Sequence, residues 1–498
     1  MESNAFASAF ASHLAPFQYG IALPEGMQFL TMTIRNLVHK LIPGGSDSTS
    51  ASHVLLFFDI ANMFNSVSRK SSHHELAQTM PFLLPSFDMR YRDANLCWYK
   101  QLDGSWSHFT MTDGFPQGDA LSSFLSCLTL HAVLSQLHKD LMTRAEQRIP
   151  IGRRTRSSPP TEPPIGAYID DVIALVPPED SNYAFERFDE LGAPRGVHLN
   201  LNKSAILSTL DPTKPTIHPA LNQMLSKLKP SNHLQNGVVY LGTPIGNSDY
   251  VTTALTEAAL RFDIKRKAIQ NQLEDLQTQT VLFTKCLLPS IPHLLATDIL
   301  LHFPSLHDDF DPYSWSSPFL TRLQSSTAAF LAHITGRNIT EVSLDMHAWN
   351  IAHFPISSGG LGFQDFAARA VASFVVPFAG AIRHSLEGFS IRNSESILRP
   401  PPTLATSLSA WSTATNQQAV AFRFLAPRLL SFEAIQGVTD PVQDLVNTRA
   451  LRTLLRDLTR AHKKRQYTTV SNSASPFLAS VLPSIMQRHT SKALLNAS

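Results

Sequence analysis

Val54-Leu-Leu-Phe-Phe58 is an unbroken apolar run, the pattern of a short strand buried on both faces, and it ends at Asp59. Two more apolar runs, Ile165–Tyr168 and Val172–Val176, lie a few residues apart and predict the arms of a hairpin with Asp170 and Asp171 at its tip. Between residues 54 and 250 such segments alternate with helical ones, which predicts an α/β or α+β unit. Ahead of it, residues 1–50 hold a short helical stretch, a turn at Leu23-Pro24-Glu25-Gly26, and an amphipathic run from Met27 to Leu41. Leu121, Phe124, Leu125 and Leu128 share one face of a helix that runs to about Lys139. The five prolines between residues 144 and 164 then predict a loop, because proline at that density sustains neither a helix nor a central strand.

Beyond about residue 250 the strand pattern fades. Residues 252–275 and 277–301 are expected to be helices, the first burying Leu255, Ala258, Ala259 and Phe262 along one face. His353–Phe363 reads as a break before a helix reaching about Arg383, and Arg399-Pro-Pro-Pro402 as a linker to a helical remainder.

Composition narrows the class. With 43% hydrophobic and 16% charged residues over 498 positions, the chain is expected to fold into about two to four packed units rather than stay disordered. A formal net charge of +2 gives no global basic field, so any nucleic-acid contact must be local. Cys97, Cys127 and Cys286 lie far apart, with no paired spacing and no histidine cluster, which speaks against structural zinc and a disulfide framework and for a reducing compartment. The first residues carry no basic region or long apolar core, so no secretory signal is expected. No apolar run approaches the roughly 18 to 20 residues of a membrane span. The expectation is a soluble intracellular protein without a membrane partner, in nucleus or cytoplasm.

Three segments carry candidate chemistry. Asp59 closes a buried strand, where a carboxylate either caps the following turn or meets a cation. Gly114-Phe-Pro-Gln117-Gly118-Asp119 stands before a helix, either as an ordinary turn and cap or as a place where backbone approaches a ligand. Asp170 and Asp171 repel each other, and solvent or a divalent cation relieves that repulsion. Together the segments supply the parts of a two-metal phosphoryl-transfer site, since magnesium takes oxygen ligands and needs only two or three carboxylates beside substrate phosphates.

Phe58-Asp59-Ile-Ala-Asn-Met-Phe64-Asn, Gly114-Phe-Pro-Gln-Gly-Asp119 and Tyr168-Ile-Asp170-Asp171 resemble motifs A, B and C of reverse transcriptases, in the order and spacing of the non-LTR retrotransposon type. Gly196-Val-His-Leu-Asn-Leu-Asn-Lys203-Ser resembles the segment that carries a lysine near the incoming triphosphate, and Tyr240-Leu241-Gly242-Thr-Pro-Ile-Gly246 the primer-gripping hairpin. Phe354-Pro with Gly359-Gly-Leu-Gly362 is similar to a break in the helical tail of such reading frames, so the resemblance spans roughly residues 14–385.

The resemblance implies an α+β right-hand polymerase fold: partial fingers in 1–50, a ferredoxin-like palm in 51–250, a helical thumb-like region in 251–345 and a helical C-terminal extension in 346–498. It implies RNA-directed DNA synthesis on an RNA template and DNA primer from deoxynucleoside triphosphates, with two Mg²⁺ ions, or Mn²⁺ in their place. Asp59 and Asp170 would bind the metals with the Ile60 carbonyl as a third oxygen, and Asp171 would support them. Phe64 would lie beneath the deoxyribose and clash with a 2′-hydroxyl; read without the motif, it is equally a core aromatic. Gln117 and Gly118 would contact the incoming nucleotide. Lys203 would donate a proton to the pyrophosphate or neutralise it, unless it is simply a solvated lysine. Tyr168 would support the hairpin near the primer end, and Leu241 and Gly242 would form the primer grip.

Nucleic acid also calls for cations. Arg449, Arg452, Arg456, Arg460, Lys463, Lys464 and Arg465 form a basic helical run opposed only by Asp457, either a solvated face or a phosphate-binding one, and the Arg148–Arg156 stretch has the same two readings. Few residues precede Asp59, and Leu14-Ala-Pro-Phe-Gln18-Tyr-Gly20 resembles only the last part of the family's fingers, so earlier fingers strands are expected to be missing. No endonuclease, Cys/His knuckle or RNase H carboxylate set is evident. The competing readings are a catalytically impaired remnant that binds nucleic acid, and an RNA-dependent RNA polymerase. Phe64 and the Tyr-Ile-Asp-Asp hairpin speak against the latter.

Overall fold

The structure, a computed structural model, describes residues 10–42, 53–148, 165–210, 218–302, 316–339, 346–353 and 360–373, with short gaps inside the first, second and last of these ranges. The chain divides into two compact units, Met1–Val238 and Val239–Ser498.

In the first unit, helix α1 (Gly26–Leu41) precedes strand β1 (Val54–Phe58), then the short α2 (Met63–Ser66), α3 (Arg69–Thr79) and α4 (Leu84–Tyr91). A ribbon of β2 (Asn95–Lys100) and β3 (Trp106–Met111) leads into the long α5 (Ser122–Arg148). The hairpin β4 (Ile165–Tyr168) and β5 (Asp171–Val176), α6 (Ser181–Gly192), β6 (Ala205–Leu207), α7 (Pro219–Lys227) and β7 (His233–Leu234) complete it. The main sheet runs β4-β5-β1-β6-β7, with β1 antiparallel to both β5 and β6. Taken as β1-α5-β4-β5-α6-β6, this is the split βαβ, or ferredoxin-like, order. The fold is therefore α+β with a ferredoxin-like sheet, as the resemblance implied.

Side-chain alternation along β1 decides which face is buried by what. Phe58 lies against α6, its ring centroid 4.6 Å from Phe185 and 4.8 Å from Phe188. Leu55 lies on the opposite face, where it lines a small cavity with Ile173 and Leu175 of β5 and Leu30, Ile34 and Val38 of α1. Phe57 and Asp59 share that second face but are only half-buried, so the sheet opens toward the Asp59 end.

α5 extends beyond the expected end near Lys139. Leu141 is buried, and Arg144 and Arg148 reach Asp180 and Glu179, with Arg144 Nε 2.8 Å from Asp180 Oδ1 and Arg148 Nη1 2.7 Å from Glu179 Oε1. These pairings draw helix from a segment whose local composition predicts a loop. Arg153, Arg154 and Arg156 lie outside the described residues, as do Arg449, Arg452, Arg456, Arg460 and Lys463.

The unit boundary falls within β8 (Gly237–Tyr240), which forms a hairpin with β9 (Thr243–Gly246); its turn residues Leu241 and Gly242 have φ of 48° and 76°. Helix α8 (Ser248–Gln272) buries Leu255, Ala258, Ala259 and Phe262, the face its spacing predicted, and Asn247 Oδ1 caps it by accepting from the Tyr250 N–H at 2.9 Å. The single helix expected over 277–301 is broken instead into α9 (Leu276–Leu282), a wide turn over Phe283–Leu287, a tight turn over Leu288–Ser290, and α10 (Pro292–His302). Pro289 and Pro292 have no N–H to continue the ladder. α11 (Pro318–Thr335) packs Phe330 on Phe283 with ring centroids 3.9 Å apart. A further helix, α12 (Met346–Ala352), ends where expected, the Leu361 and Phe363 amides folding back onto the Ala352 carbonyl at 3.2 and 3.1 Å. The helix expected as far as Arg383 and the Arg399–Pro402 linker fall mostly outside the described residues.

Among the described residues no single helix is long and apolar enough to cross a membrane. Leu276–Ser290 and Pro292–Ile299 qualify only jointly, bent by 43°, and their Phe283, Leu287, Leu288, Ile291, Leu295 and Ile299 are buried in the protein.

Candidate active site

The register of β1 with β5 runs from Val54 opposite Val176 to Phe58 opposite Val172. Asp59 follows Phe58 directly, so it stands just past the end of β1, next to where β5 begins at Asp171. Asp171 in turn pairs with Tyr168, which leaves Ile169 and Asp170 as a two-residue turn. The sequence therefore put the turn one residue too late: Asp171 is already in the strand. Asp170 is half-buried at the tip; Asp171 is largely exposed, yet partial desolvation of its carboxyl, then the charges of Asp170 and Asp59, hold that carboxyl above its ordinary value. Asp171 thus feels the charges of both Asp59 and Asp170 at the open end of the sheet. Beneath them Cys127 of α5 is fully buried; that burial, and then the Asp170 charge, raise its thiol well above its ordinary value.

Asp59 does not cap a helix, since Asn62 occupies the N-cap of α2. Its backbone is held instead by the segment from Arg195 to Ser204. The Asp59 N–H donates to Ser204 Oγ at 3.1 Å, and its carbonyl accepts from Asn200 N at 2.8 Å. Ala61 N donates to the His198 carbonyl at 2.8 Å, so Ile60 and Leu199 form a bridge that does not use the Ile60 carbonyl. Lys203 adjoins Ser204 with its side chain exposed. Gly196 makes this approach possible: its φ is +71°, and a Cβ there would overlap the Ser66 carbonyl.

A second connection ties the Gly114–Asp119 turn to the same segment. The Phe115 N–H donates to the Phe64 carbonyl at 2.6 Å and Gly114 N to the Val67 carbonyl at 3.0 Å. Gly114, at φ +70°, leaves room for the Asn65 backbone. Phe64 is half-buried rather than part of the core, Gln117 is exposed, and Gly118 has φ of +92° in open space. Asp119 accepts from Leu121 N at 2.9 Å, the cap expected at this helix entrance. Buried Arg69 anchors the turn from behind, donating to the Gly114 carbonyl at 2.8 Å, the Asp93 carbonyl at 2.9 Å and Asn95 Oδ1 at 2.6 Å.

The first unit therefore gathers Asp59, Ile60, Asp170, Asp171 and Tyr168 at one strand end, with Lys203 and the turn bearing Gln117 and Gly118 linked to it through the backbone. Leu241 and Gly242 belong to the second unit, where His293 hydrogen-bonds the Gly242 backbone and burial keeps its imidazole below the ordinary value. Sequence reasoning missed Ser204, Arg69 and Gln18. A hydroxyl beside the lysine and an arginine shortly after Asp59 were visible, but only tertiary hydrogen bonds show what they hold.

Among the described residues no group of three or more His, Cys, Asp or Glu side chains is arranged to hold a metal ion. The donor set nonetheless suits a hard cation in part: no cationic side chain among the described residues pairs with Asp59 or Asp170, and both offer oxygen ligands.

Residues 4–245 match the family model described as "Reverse transcriptase (RNA-dependent DNA polymerase)". These residues form a reverse transcriptase domain. No curated protein matches the chain. Among solved structures the chain is similar to telomerase from Candida albicans in complex with a TWJ fragment of telomeric RNA, at 10% identity and a TM-score of 0.33, over 79% of this chain and 57% of that one. It is also similar to apo telomerase from Candida tropicalis, at 12% identity and a TM-score of 0.29, over 65% of this chain and 53% of that one. The chain spans little more than half the length of these structures, and likenesses at this level carry no argument about substrate or partner. The reverse transcriptase domain includes all of motifs A to C and the Lys203 segment.

Proposed function

We propose that this chain is the RNA-directed DNA polymerase module of a non-LTR type retrotransposon, joining deoxynucleotides to a primer 3′-hydroxyl on an RNA template. The observation that carries the reading is the convergence of Asp59, Asp170 and Asp171 at the open strand end, with no cationic side chain among the described residues paired to Asp59 or Asp170.

Asp59 and Asp170, with the Ile60 carbonyl, would hold two Mg²⁺ ions, or Mn²⁺ in their place. When bound, such ions supply Lewis-acid activation of the primer hydroxyl and neutralise charge on the leaving pyrophosphate. The protein's own groups do the rest. Phe64, half-exposed beside motif B, lies beneath the sugar and excludes a 2′-hydroxyl by contact. Gln117 and the open backbone at Gly118 meet the incoming nucleotide. The exposed Lys203 ammonium donates a proton to the departing pyrophosphate oxygen. Tyr168, paired with Asp171, steadies the hairpin near the primer end, and the Leu241-Gly242 turn grips the primer. We also propose the division into partial fingers to residue 50, palm to 250, thumb-like helices to 345 and a helical extension beyond. Arg449, Arg452, Arg456, Arg460 and Lys463 would add phosphate contacts, so charge removal there should flatten the salt dependence of binding.

One observation favours a second reading, a remnant that binds nucleic acid without synthesis: among the described residues no three side-chain ligands stand together. Primer extension by the purified chain with Mg²⁺, on RNA and on DNA templates, separates the two. Extension that prefers an RNA template supports the polymerase. Binding with no extension on either template supports the remnant.

A further inference from the structure

Gln18 lies far from the motifs in sequence and is 4% exposed, yet its side chain reaches the hairpin that carries Asp170. Its Nε2 donates to the Ile169 carbonyl at 3.1 Å, and its Oε1 accepts from the Ile169 N–H at 2.7 Å and the Gly20 N–H at 3.1 Å. The backbone on either side is locked to β4 as well: Ala167 N donates to the Phe17 carbonyl and Tyr19 N to the Ala167 carbonyl, each at 2.8 Å. Residues 17–19 thus lie along the free edge of β4, and the Gln18 amide continues that pairing past the strand end to Ile169.

Ile169 needs such a partner. Its φ is 59°, a left-handed conformation that β-branched residues avoid. The two groups the amide engages belong to the two peptide planes flanking Ile169, and the second plane leads directly into Asp170. A primary amide is the side chain that offers one donor and one acceptor side by side, as a strand neighbour does. Gly20 belongs to the same device: a Cβ there would come within 2.9 Å of Ile169 N and 2.7 Å of its Cγ1.

We infer that Gln18 is a positioning residue for the reaction, its carboxamide clamping the left-handed Ile169 so that Asp170 is presented beside Asp59. This inference rests on the polymerase reading of the site. It predicts a defect confined to what Asp170 does: groups that orient a metal ligand cost about 10- to 100-fold in activity or metal affinity when removed. Substrate contacts made by Phe64 and Gln117 come from other segments and are left intact.

The test uses the full chain with Gln18→Met, which keeps length and apolar bulk but removes the amide, and Gln18→Glu, which keeps the acceptor and loses the donor. Each is examined for primer extension across Mg²⁺ concentrations, for Mn²⁺ binding by electron paramagnetic resonance without nucleic acid, and for melting temperature. The expected result is a kcat reduced about 10- to 100-fold with nucleotide KM within about twofold, a higher Mg²⁺ midpoint and weaker Mn²⁺ binding in Gln18→Met. Gln18→Glu, the fallback if the methionine variant does not fold, should lie between it and the wild type. Unchanged kcat and Mn²⁺ affinity would overturn the inference. So would a parallel loss of kcat, KM and melting temperature without a change in metal dependence, which would make Gln18 a packing residue. If the wild type extends no primer, the polymerase reading fails, and the Mn²⁺ titration alone decides: weaker binding in Gln18→Met upholds the clamp, and equal binding refutes it.

Discussion

Phe115 donates its backbone N–H to the Phe64 carbonyl at 2.6 Å, so the aromatic of motif A and the turn of motif B form one unit. The proposed sugar-contacting ring and the proposed nucleotide-contacting Gln117 cannot shift independently. Phe64→Ala removes the ring while keeping that backbone bond. Ribonucleotide incorporation should rise about tenfold relative to deoxynucleotide, equivalent to ~1.4 kcal/mol of discrimination, with primer extension itself retained. Competition between the two nucleotides in a single extension reaction measures the ratio, and an unaltered ratio would make Phe64 a packing residue.

Gly196 governs the attachment of the Lys203 segment to motif A. Its positive φ and the closeness of the Ser66 carbonyl leave no place for a methyl group. Gly196→Ala should cost about 1–3 kcal/mol from backbone conformation alone, with the overlap adding to it. A lowered urea midpoint reads this directly. An alanine variant as stable as the wild type would mean that the Arg195–Ser204 segment is not held as described.

Asp171 makes stability depend on pH in a defined direction. Its folded pKa lies above the ordinary 3.8, through partial desolvation and then the charges of Asp170 and Asp59. Between the two values the folded chain holds more protons than the unfolded one, so this group's contribution falls as pH rises through that window and stays unfavourable above it. Asp171→Asn should therefore raise the melting temperature at pH 7, and the difference should shrink toward pH 3. Equal melting temperatures at pH 7 would show that the three carboxylates do not share a field.

Much of this was legible because local pattern and tertiary role agree. The β1 run, the arms of the hairpin and the Leu255–Phe262 face of α8 are set by burial, which apolar spacing reports directly. Where long-range contacts decide, the spacing was silent. α5 continues to Arg148 because Asp180 and Glu179 wait for its arginines, and the expected 277–301 helix divides where Pro289 and Pro292 interrupt it. In the site, the motif residues could be named from order and spacing. The roles of Gln18 and Ser204 could not, because each acts through hydrogen bonds to backbone more than a hundred residues away, with |i−j| of 151 and 145.

The reading as a whole depends on Asp59 and Asp170 serving one cation-dependent reaction. Its most direct test is primer extension on an RNA template with Mg²⁺, comparing the wild-type chain with Asp59→Asn, an isosteric change that removes one carboxylate. The account predicts extension by the wild type and a rate lower by more than about a hundredfold in the variant, beyond the loss that orienting groups alone produce. Equal rates in the two chains would contradict it.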